Sequence, residues 1–101
     1  MPYLIVTIIQ PELAARREEL REEHLGYLDS NVRMVLAAGA KLEDDGTLAD
    51  GSFYLVDTDN ADEARDFIDN DPYVKNGIVS NISRTRVRKG FFDRQRGGNH
   101  K

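Results

Sequence analysis

Apolar residues along the chain recur with the periods of buried strands and of amphipathic helices. Tyr3 to Ile9 is β-branched, aromatic or aliphatic at odd and even positions alike, which predicts a strand covered on both faces. Pro11 and Glu12 then suit the first turn of a helix. We predict this helix over residues 11–29, with a buried stripe at Leu13, Leu20, His24, Tyr27 and Leu28. Its opposite face is charged at Arg16, Arg17, Glu19, Glu22 and Glu23.

The end of this helix is ambiguous, because residues 32–36 fit both a continued helical stripe and the alternation of a strand. We favour a strand over residues 32–43 and expect Asn31 to close the helix in the left-handed conformation. Residues 44–51 carry two turn signals and predict a loop. Residues 52–57 are again apolar on both faces and predict the third strand.

The second half of the sequence predicts one more helix and one more strand. Asn60 and Glu63 have the spacing of a capping box, in which each side chain accepts a hydrogen bond from a free backbone N–H at the helix start. This helix stops at Asp71 and Pro72, because proline disfavours helical geometry in the residue before it. After a turn, residues 78–87 predict the last strand.

The resulting order, βαββαβ, is that of the ferredoxin-like α+β fold, in which two helices cover one face of a four-stranded antiparallel sheet. The strands are apolar on both sides, so the uncovered face needs a partner. The same face of a second copy is the simplest one, which predicts a homodimer. A single small core of this length also gains from burial against a partner subunit.

Composition narrows the function classes. The 101 residues are 40% apolar and 32% charged and contain no cysteine, which excludes a disulfide framework, a thiolate nucleophile and a Cys-ligated metal centre. No apolar stretch approaches the roughly 18 residues of a membrane span, and the first residues lack the features of a secretory signal. We therefore expect a cytoplasmic protein without membrane contact.

Charge is divided unevenly along the chain. The net charge is −4, yet Arg84 to Lys101 holds seven basic residues and one acid, Asp93, which leaves the first 83 residues at −10. A basic tail can contact nucleic acid, but we favour a cationic end that lies over an acidic body, its own or its partner's. We predict a folded domain over residues 1–92 and a disordered basic tail over residues 93–101.

Two motifs suggest a family. Arg21-Glu-Glu-His24-Leu25 follows the first strand, and Asp71-Pro72-Tyr73 precedes Gly77 by four residues, with Gly51-Ser52 opening a strand between them. These pieces resemble the signature of YciI-like proteins over about residues 2–92, within the wider class of dimeric α/β barrels. That class includes muconolactone isomerases and cofactor-free monooxygenases.

The resemblance implies a cleft that holds a His-Asp pair, here His24 and Asp71, and a relative that eliminates halide from a chlorinated hydroxyquinol. It favours a cofactor-free lyase or isomerase acting on a small, cyclic or aromatic oxygenated acid. An imidazole can take and return a proton at cellular pH, as such reactions require. Asp71 would orient the ring. By pattern alone, an inert core histidine is the more common case for His24, and Asp71 could equally form only an Asp-Pro turn.

Three further residues are candidates for binding substrate. Arg21, one turn before His24, could hold a carboxylate or enolate, or pair with a nearby glutamate in solvent. Ser52 could donate to a bound oxygen, or serve only in a turn. Tyr73 could line the pocket, or pack in the core. The sequence has no nucleotide-binding or zinc-protease motif, and one histidine with scattered acids makes no metal-ligand set, so we expect no cofactor.

Two alternatives remain open. Removal of Met1 would expose Pro2, whose amine could act as the base of a tautomerase. The chain could also be a non-enzymatic dimeric binding or accessory domain that senses a small ligand, or whose basic tail touches an acidic partner.

Overall fold

The computed structural model describes residues 1–97. In chain order the elements are β1 (Tyr3–Ile9), α1 (Ala14–Ser30), β2 (Val35–Leu42), β3 (Leu48–Val56), α2 (Ala61–Asp69), α3 (Pro72–Lys75), β4 (Val79–Arg86), β5 (Phe91–Phe92) and β6 (Gln95–Arg96). Short 3-10 turns, Pro11–Leu13 and Val32–Met34, lead into α1 and β2. In this part of the chain, no helix has the length and apolar character needed to cross a bilayer.

The main sheet has the strand order β2-β3-β1-β4, and every neighbouring pair is antiparallel. The helices lie on one side of this sheet. This arrangement confirms the predicted ferredoxin-like α+β fold. Along β1, the side chains of Ile5, Thr7 and Ile9 are buried beneath the helices, whereas Leu4 and its same-side neighbours on the other face are only partly covered.

Three predicted boundaries differ from the structure. Residues 32–34 form a 3-10 turn rather than the start of β2, and Asn31 has φ −119°, so it does not close α1 in the left-handed conformation. The chain instead reverses through this 3-10 turn, in which the N–H of Asn31 donates to the Leu28 carbonyl and the N–H of Met34 to the Asn31 carbonyl, so no left-handed residue is needed. β3 begins at Leu48 rather than at residue 52, because Leu48 pairs with Leu42 and extends the β2–β3 hairpin.

The start of α2 confirms half of the predicted capping box. The Asn60 side chain accepts hydrogen bonds from the backbone N–H groups of Asp62 and Glu63. The reciprocal bond is absent, because the N–H of Asn60 donates to Thr58 Oγ1 and the Thr58 hydroxyl donates to Glu63. Thr58 therefore stands between the two partners that the motif would join directly.

The C-terminal segment contains a short hairpin that is not predicted from the sequence. Phe91–Phe92 pairs with Gln95–Arg96 across a two-residue turn in which Asp93 and Arg94 both have positive φ. The predicted disordered tail of residues 93–101 thus begins inside a hairpin, and residues 98–101 lie outside the described residues.

The core beneath the helices consists of two clusters. One contains Ile5, Tyr54, Val56, Phe67 and Ile68. The other contains Ile9, Leu20, Tyr73 and Ile78, and lies toward the carboxyl end of β1. The buried polar or charged residues of the described chain are Thr7, Arg17, His24, Ser52 and Asp71. Arg17 and His24 contact Tyr73 of the second cluster, so the polar residues lie beside that cluster.

Candidate active site

A cleft of about 640 Å³ lies where the end of β1 meets α1 and the β2–β3 hairpin. Its volume is within the range of roughly 300 to 1,000 Å³ that is typical of small-molecule sites. Four of the five residues selected from the sequence line it: Arg21, His24, Ser52 and Tyr73. The fifth, Asp71, lies behind His24 and is fully buried.

The imidazole of His24 contacts the carboxylate of Asp71 directly, although 47 residues separate them in sequence. Nδ1 of His24 lies 3.1 Å from Oδ1 and 3.0 Å from Oδ2 of Asp71. A carboxylate accepts hydrogen bonds only, so in a neutral imidazole this contact places the proton on Nδ1. The helical stripe of α1 supplies His24, and the turn after α2 supplies its partner.

The second ring nitrogen of His24 faces the cleft. Within residues 1–97, Nε2 makes no hydrogen bond to protein. Every buried side-chain nitrogen or oxygen in these residues has a hydrogen-bond partner, so Nε2 is not a buried atom. Nε2 must therefore contact open space, and the open space beside His24 is the cleft. With the proton on Nδ1, Nε2 carries a free lone pair and can accept a proton from a bound molecule.

Asp71 is held by two donors besides His24. It caps α3, where its Oδ1 accepts the backbone N–H of Tyr73 at 2.8 Å, and its Oδ2 accepts the Tyr54 hydroxyl at 2.9 Å. Burial, reinforced by the charge of Asp71, raises the pKa of Tyr54 well above its ordinary value, so its hydroxyl remains a donor. The Asp-Pro turn and the contact with His24 are thus two roles of one residue.

The ring of Tyr73 forms one wall beside His24. The two rings stack with centroids 4.1 Å apart and planes 11° from parallel. Tyr73 is 4% exposed, and burial raises the pKa of its hydroxyl, an effect that hydrogen bonding and charge from Arg17 partly oppose. Tyr73 therefore fixes the imidazole plane while it also packs in the core.

Ser52 lies at the floor of the cleft, where β3 approaches β1 closely. A Cβ on Gly51 would lie 2.0 Å from the carbonyl oxygen of Thr7, and Gly51 has φ +148°, so only glycine fits there. The N–H of Ser52 donates to Thr7 Oγ1 at 3.1 Å. The Gly51-Ser52 dipeptide thus brings the Ser52 side chain to the cleft.

The two arginines that line the cleft differ in exposure. Arg21 is exposed at the rim and makes no ion pair within the described residues, so the predicted alternative of a glutamate partner is not observed. Arg17 is buried and contacts the ring of Tyr73, with Cζ 5.9 Å from the ring centroid. The prediction that Arg17 lies on the charged outer face of α1 is therefore wrong.

Sequence reasoning missed Arg17 and Tyr54. A signal existed for each. Arg17 lies three residues before Leu20 and seven before His24, and therefore on the buried stripe. Tyr54 alternates with Ser52 and Val56 along β3, and therefore shares their buried side.

Pro2, the base of the tautomerase alternative, lies at the opposite end of β1. It is buried, its carbonyl accepts the N–H of Val87 at 2.9 Å, and it is not among the residues that line the cleft. Among residues 1–97, no three His, Asp or Glu side chains cluster as metal ligands would.

Comparison with known proteins gives a family and a structural neighbour. The family model described as the YCII-related domain matches residues 1–87. A solved structure of 5-chloro-2-hydroxyhydroquinone dehydrochlorinase from Burkholderia phenoliruptrix AC1100, in complex with 2,5-dihydroxybenzoquinone, is similar with a TM-score of 0.78 and 27% sequence identity. The match covers 87% of this chain and 94% of that one. No curated protein matches the chain.

Proposed function

The chain belongs to the YCII-related domain family, and on that premise we propose that it is a cofactor-free lyase or isomerase. Its substrate would be a small oxygenated acid with a cyclic or aromatic skeleton. The observation that carries this proposal is the His24 imidazole, whose Nδ1 contacts buried Asp71 while Nε2 faces a cleft of small-molecule size. The structural neighbour, an enzyme acting on a chlorinated ring with hydroxyl groups, supports the substrate class.

In the proposed reaction, Nε2 of His24 removes a proton from a hydroxyl group, or from a carbon beside a carbonyl. The electron pair left behind becomes an enolate or phenolate. In a lyase it re-forms the carbonyl as a leaving group departs with its own bonding pair. In an isomerase the imidazolium returns the proton to another atom of the substrate. Asp71 keeps the ring in the Nδ1–H tautomer and stabilises the imidazolium that forms.

The remaining predicted site residues would bind the substrate. Tyr73 offers an aromatic ring stacked on the imidazole, and Ser52 offers a hydroxyl to the cleft. Arg21, at the exposed rim, would attract an anionic substrate to the opening. These roles are properties of side-chain type and position, and each can be tested by single substitution.

The test is an assay of proton transfer that needs no prior choice between the two reactions. The full chain is incubated in deuterium oxide with 5-chloro-2-hydroxyhydroquinone or with 2,5-dihydroxybenzoquinone, and deuterium uptake is followed by mass spectrometry, with chloride release as a second readout. We expect H24Q to lower the rate by roughly 10²- to 10⁴-fold and D71N to lower it substantially, because an amide can no longer enforce the Nδ1–H tautomer.

The matched control for D71N is D69N, two residues earlier on the exposed end of α2, which should retain the wild-type rate. A rate in H24Q equal to that of the wild type would refute the role of the imidazole. Binding of these ligands without any exchange would instead favour the alternative of a non-enzymatic binding domain.

We also propose that the chain forms a homodimer through the open face of the sheet. Leu4, Val6, Ile8, Phe53 and Leu55 lie on that face and are only partly covered in the monomer. Burying about 800 Å² on each copy would be typical of a stable interface. A charged residue at the centre of this face, as in V6R, should yield monomers in light scattering if the proposal is right, and an unchanged dimer would exclude this interface.

A further inference from the structure

Arg17 is a buried cation that the proposed reaction does not yet use. It is 9% exposed, projects from α1 two turns before His24, and lines the same cleft. Moving a guanidinium out of water is costly unless hydrogen bonds and an opposite charge replace the lost hydration. Its neighbours therefore show whether the protein itself supplies that replacement.

The protein supplies only part of the hydrogen bonding and charge that would replace the lost hydration of Arg17. One nitrogen, Nη2, donates to the carbonyl oxygen of Gly51 at 3.2 Å, and the guanidinium carbon lies 5.9 Å from the centre of the Tyr73 ring. Across residues 1–97, no carboxylate oxygen lies within 4.0 Å of Arg17. The positive charge thus has a carbonyl dipole and a ring face beside it, but no counter-ion in contact.

The remaining donors of Arg17 open onto the cleft. A guanidinium has five N–H donors, and within the described residues the acceptors near Arg17 are the Gly51 carbonyl and the Tyr73 hydroxyl. Since no buried side-chain nitrogen there lacks a partner, the other nitrogens of Arg17 must be accessible. The cleft is the open space that Arg17 adjoins. A planar fork of donors at the wall of a pocket is suited to bind a carboxylate or another oxyanion.

Other charged groups around the cleft do not neutralise Arg17. Glu18, Glu43 and Asp50 line the opening and are exposed, and Asp50 is paired with Lys41 at 3.0 Å. Arg21 adds a second positive charge at the rim. Asp71 is engaged by His24, Tyr54 and the backbone of Tyr73. The charged partner that Arg17 lacks would therefore be supplied by a ligand.

We propose that Arg17 is the anion-binding residue of the cleft and holds the ionised oxygen of the substrate, as a carboxylate, enolate or phenolate. This inference rests on the proposed function and assigns its anchor to Arg17 rather than to the exposed Arg21. His24 and Arg17 lie seven residues apart on one helix face, about 10 Å along the axis. Tyr73 contacts both side chains.

This spacing defines a substrate class. The ligand is a ring or a short chain with the transferable proton at one side and an ionised oxygen at the other. Negative charge that develops on oxygen when His24 removes the proton would be delocalised through the conjugated skeleton toward Arg17. A neutral ligand of the same shape would lack the contact that offsets the burial of the guanidinium.

The test uses titration calorimetry to compare an anionic ligand with a neutral one that has the same quinone ring. 2,5-Dihydroxybenzoquinone is ionised at neutral pH, whereas 2,5-dimethoxybenzoquinone is not. We expect the wild type to prefer the anion and R17Q to weaken anion binding by at least about tenfold, the worth of one charge-assisted hydrogen bond. Binding of the neutral quinone should change less than twofold.

Two variants separate loss of charge from loss of folding. R17K keeps the charge but not the fork, so its affinity for the anion should fall between those of the wild type and R17Q. R16Q removes the adjacent arginine, which is exposed and pairs with Glu19 and Asn76, and should bind like the wild type. Thermal unfolding by circular dichroism checks that each variant is folded.

A measurement on the unaltered protein completes the test. The side-chain ¹⁵Nε resonance of Arg17 should shift when the anionic quinone is added. Equal affinity in R17Q and wild type, no binding of the anion by wild type, or an unmoved Arg17 resonance would each overturn the inference. Binding that depends on Arg17 without deuterium exchange would leave the anion site standing and reject the lyase or isomerase.

Discussion

The two halves of the core lie under the same helices but differ in chemistry. The apolar half, which we define as Ile5, Val56, Phe67 and Ile68, is closed by aliphatic and aromatic side chains. The polar half consists of Tyr73 with the buried Thr7, Arg17, His24, Ser52 and Asp71. Tyr54 belongs to both, because its ring packs in the apolar half and its hydroxyl donates to Asp71.

The two halves contribute differently to the stability of this small domain. Burial of apolar side chains is favourable without specific partners, whereas every buried polar group must find a hydrogen bond merely to avoid a penalty. In the polar half these bonds are made, yet His24 and Arg17 each keep nitrogens directed at open space. The apolar half therefore stabilises the fold, and the polar half holds the groups to which we assign binding and proton transfer.

Removing the largest side chain of the apolar half should have the largest effect on stability. Phe67 is 3% exposed, so F67A should lower the free energy of unfolding by about 3 to 5 kcal/mol, through lost burial and the cavity left behind. Denaturant unfolding gives the value. F91A is the control, because Phe91 is 71% exposed and its loss should change stability by less than about 0.5 kcal/mol.

Equal losses for F67A and F91A would contradict the division of the core. If F67A remains folded, its His24 tautomer should be that of the wild type. The hydrogen bonds of Asp71 are made with His24, Tyr54 and the backbone of Tyr73, and none of these groups is changed by the substitution.

Removing the hydroxyl of Tyr54, the residue shared by the two halves of the core, should have an intermediate effect on the free energy of unfolding. Y54F keeps the ring in the apolar half but leaves Asp71 with two donors instead of three, so we expect a loss of about 2 kcal/mol, as for hydrogen bonds to charged acceptors. Y27F is the matched control, since Tyr27 donates to the backbone carbonyl of Phe67, a neutral acceptor worth about 1 kcal/mol. A smaller loss in Y54F than in Y27F would show that Asp71 does not depend on Tyr54.

The smallest expected effect is a dependence of stability on alkaline pH. Burial and the charge of Asp71 raise the pKa of Tyr54 above its ordinary value of 10.0. Above about pH 10 the unfolded chain therefore releases a proton that the folded chain keeps, and the free energy of unfolding falls as pH rises, by at most about 1.4 kcal/mol per pH unit for one group. Below that pH this tyrosine contributes no pH dependence.

Urea unfolding between pH 9 and 11 measures this slope. It should be shallower in Y54F than in the wild type. A residual slope is expected from Tyr73, whose pKa burial also raises. Identical slopes in the two proteins would mean that Tyr54 ionises as freely in the folded state as in the unfolded one.

Most of the fold is predictable from the sequence, because most helices and strands are determined by residues close to one another in the chain. The apolar run of β1, the stripe of α1 and the Asn60 cap each follow from residues a few positions apart. The start of β3 at Leu48 does not, because Ala49 and Asp50 have low strand propensity and are paired only through the hairpin with β2.

The site was harder to predict for a physical reason. Nothing in the spacing of His24 and Asp71 brings them together, and their pairing came from the resemblance of two motifs to a known family. The sequence predicts a solvent-exposed Arg17, because charged helix residues usually lie in solvent. Its burial depends on the carbonyl of Gly51 and the ring of Tyr73, which are distant in sequence and converge only in the folded chain.

The most direct measurement of the central claim is long-range ¹H–¹⁵N NMR of His24 in the full chain, with and without 2,5-dihydroxybenzoquinone. The account expects a neutral ring protonated at Nδ1, with an unprotonated Nε2 whose resonance moves when the quinone is added. In D71N the tautomers should mix. A ring protonated at Nε2, or an Nε2 resonance that does not respond to the ligand when the ligand binds, would contradict it.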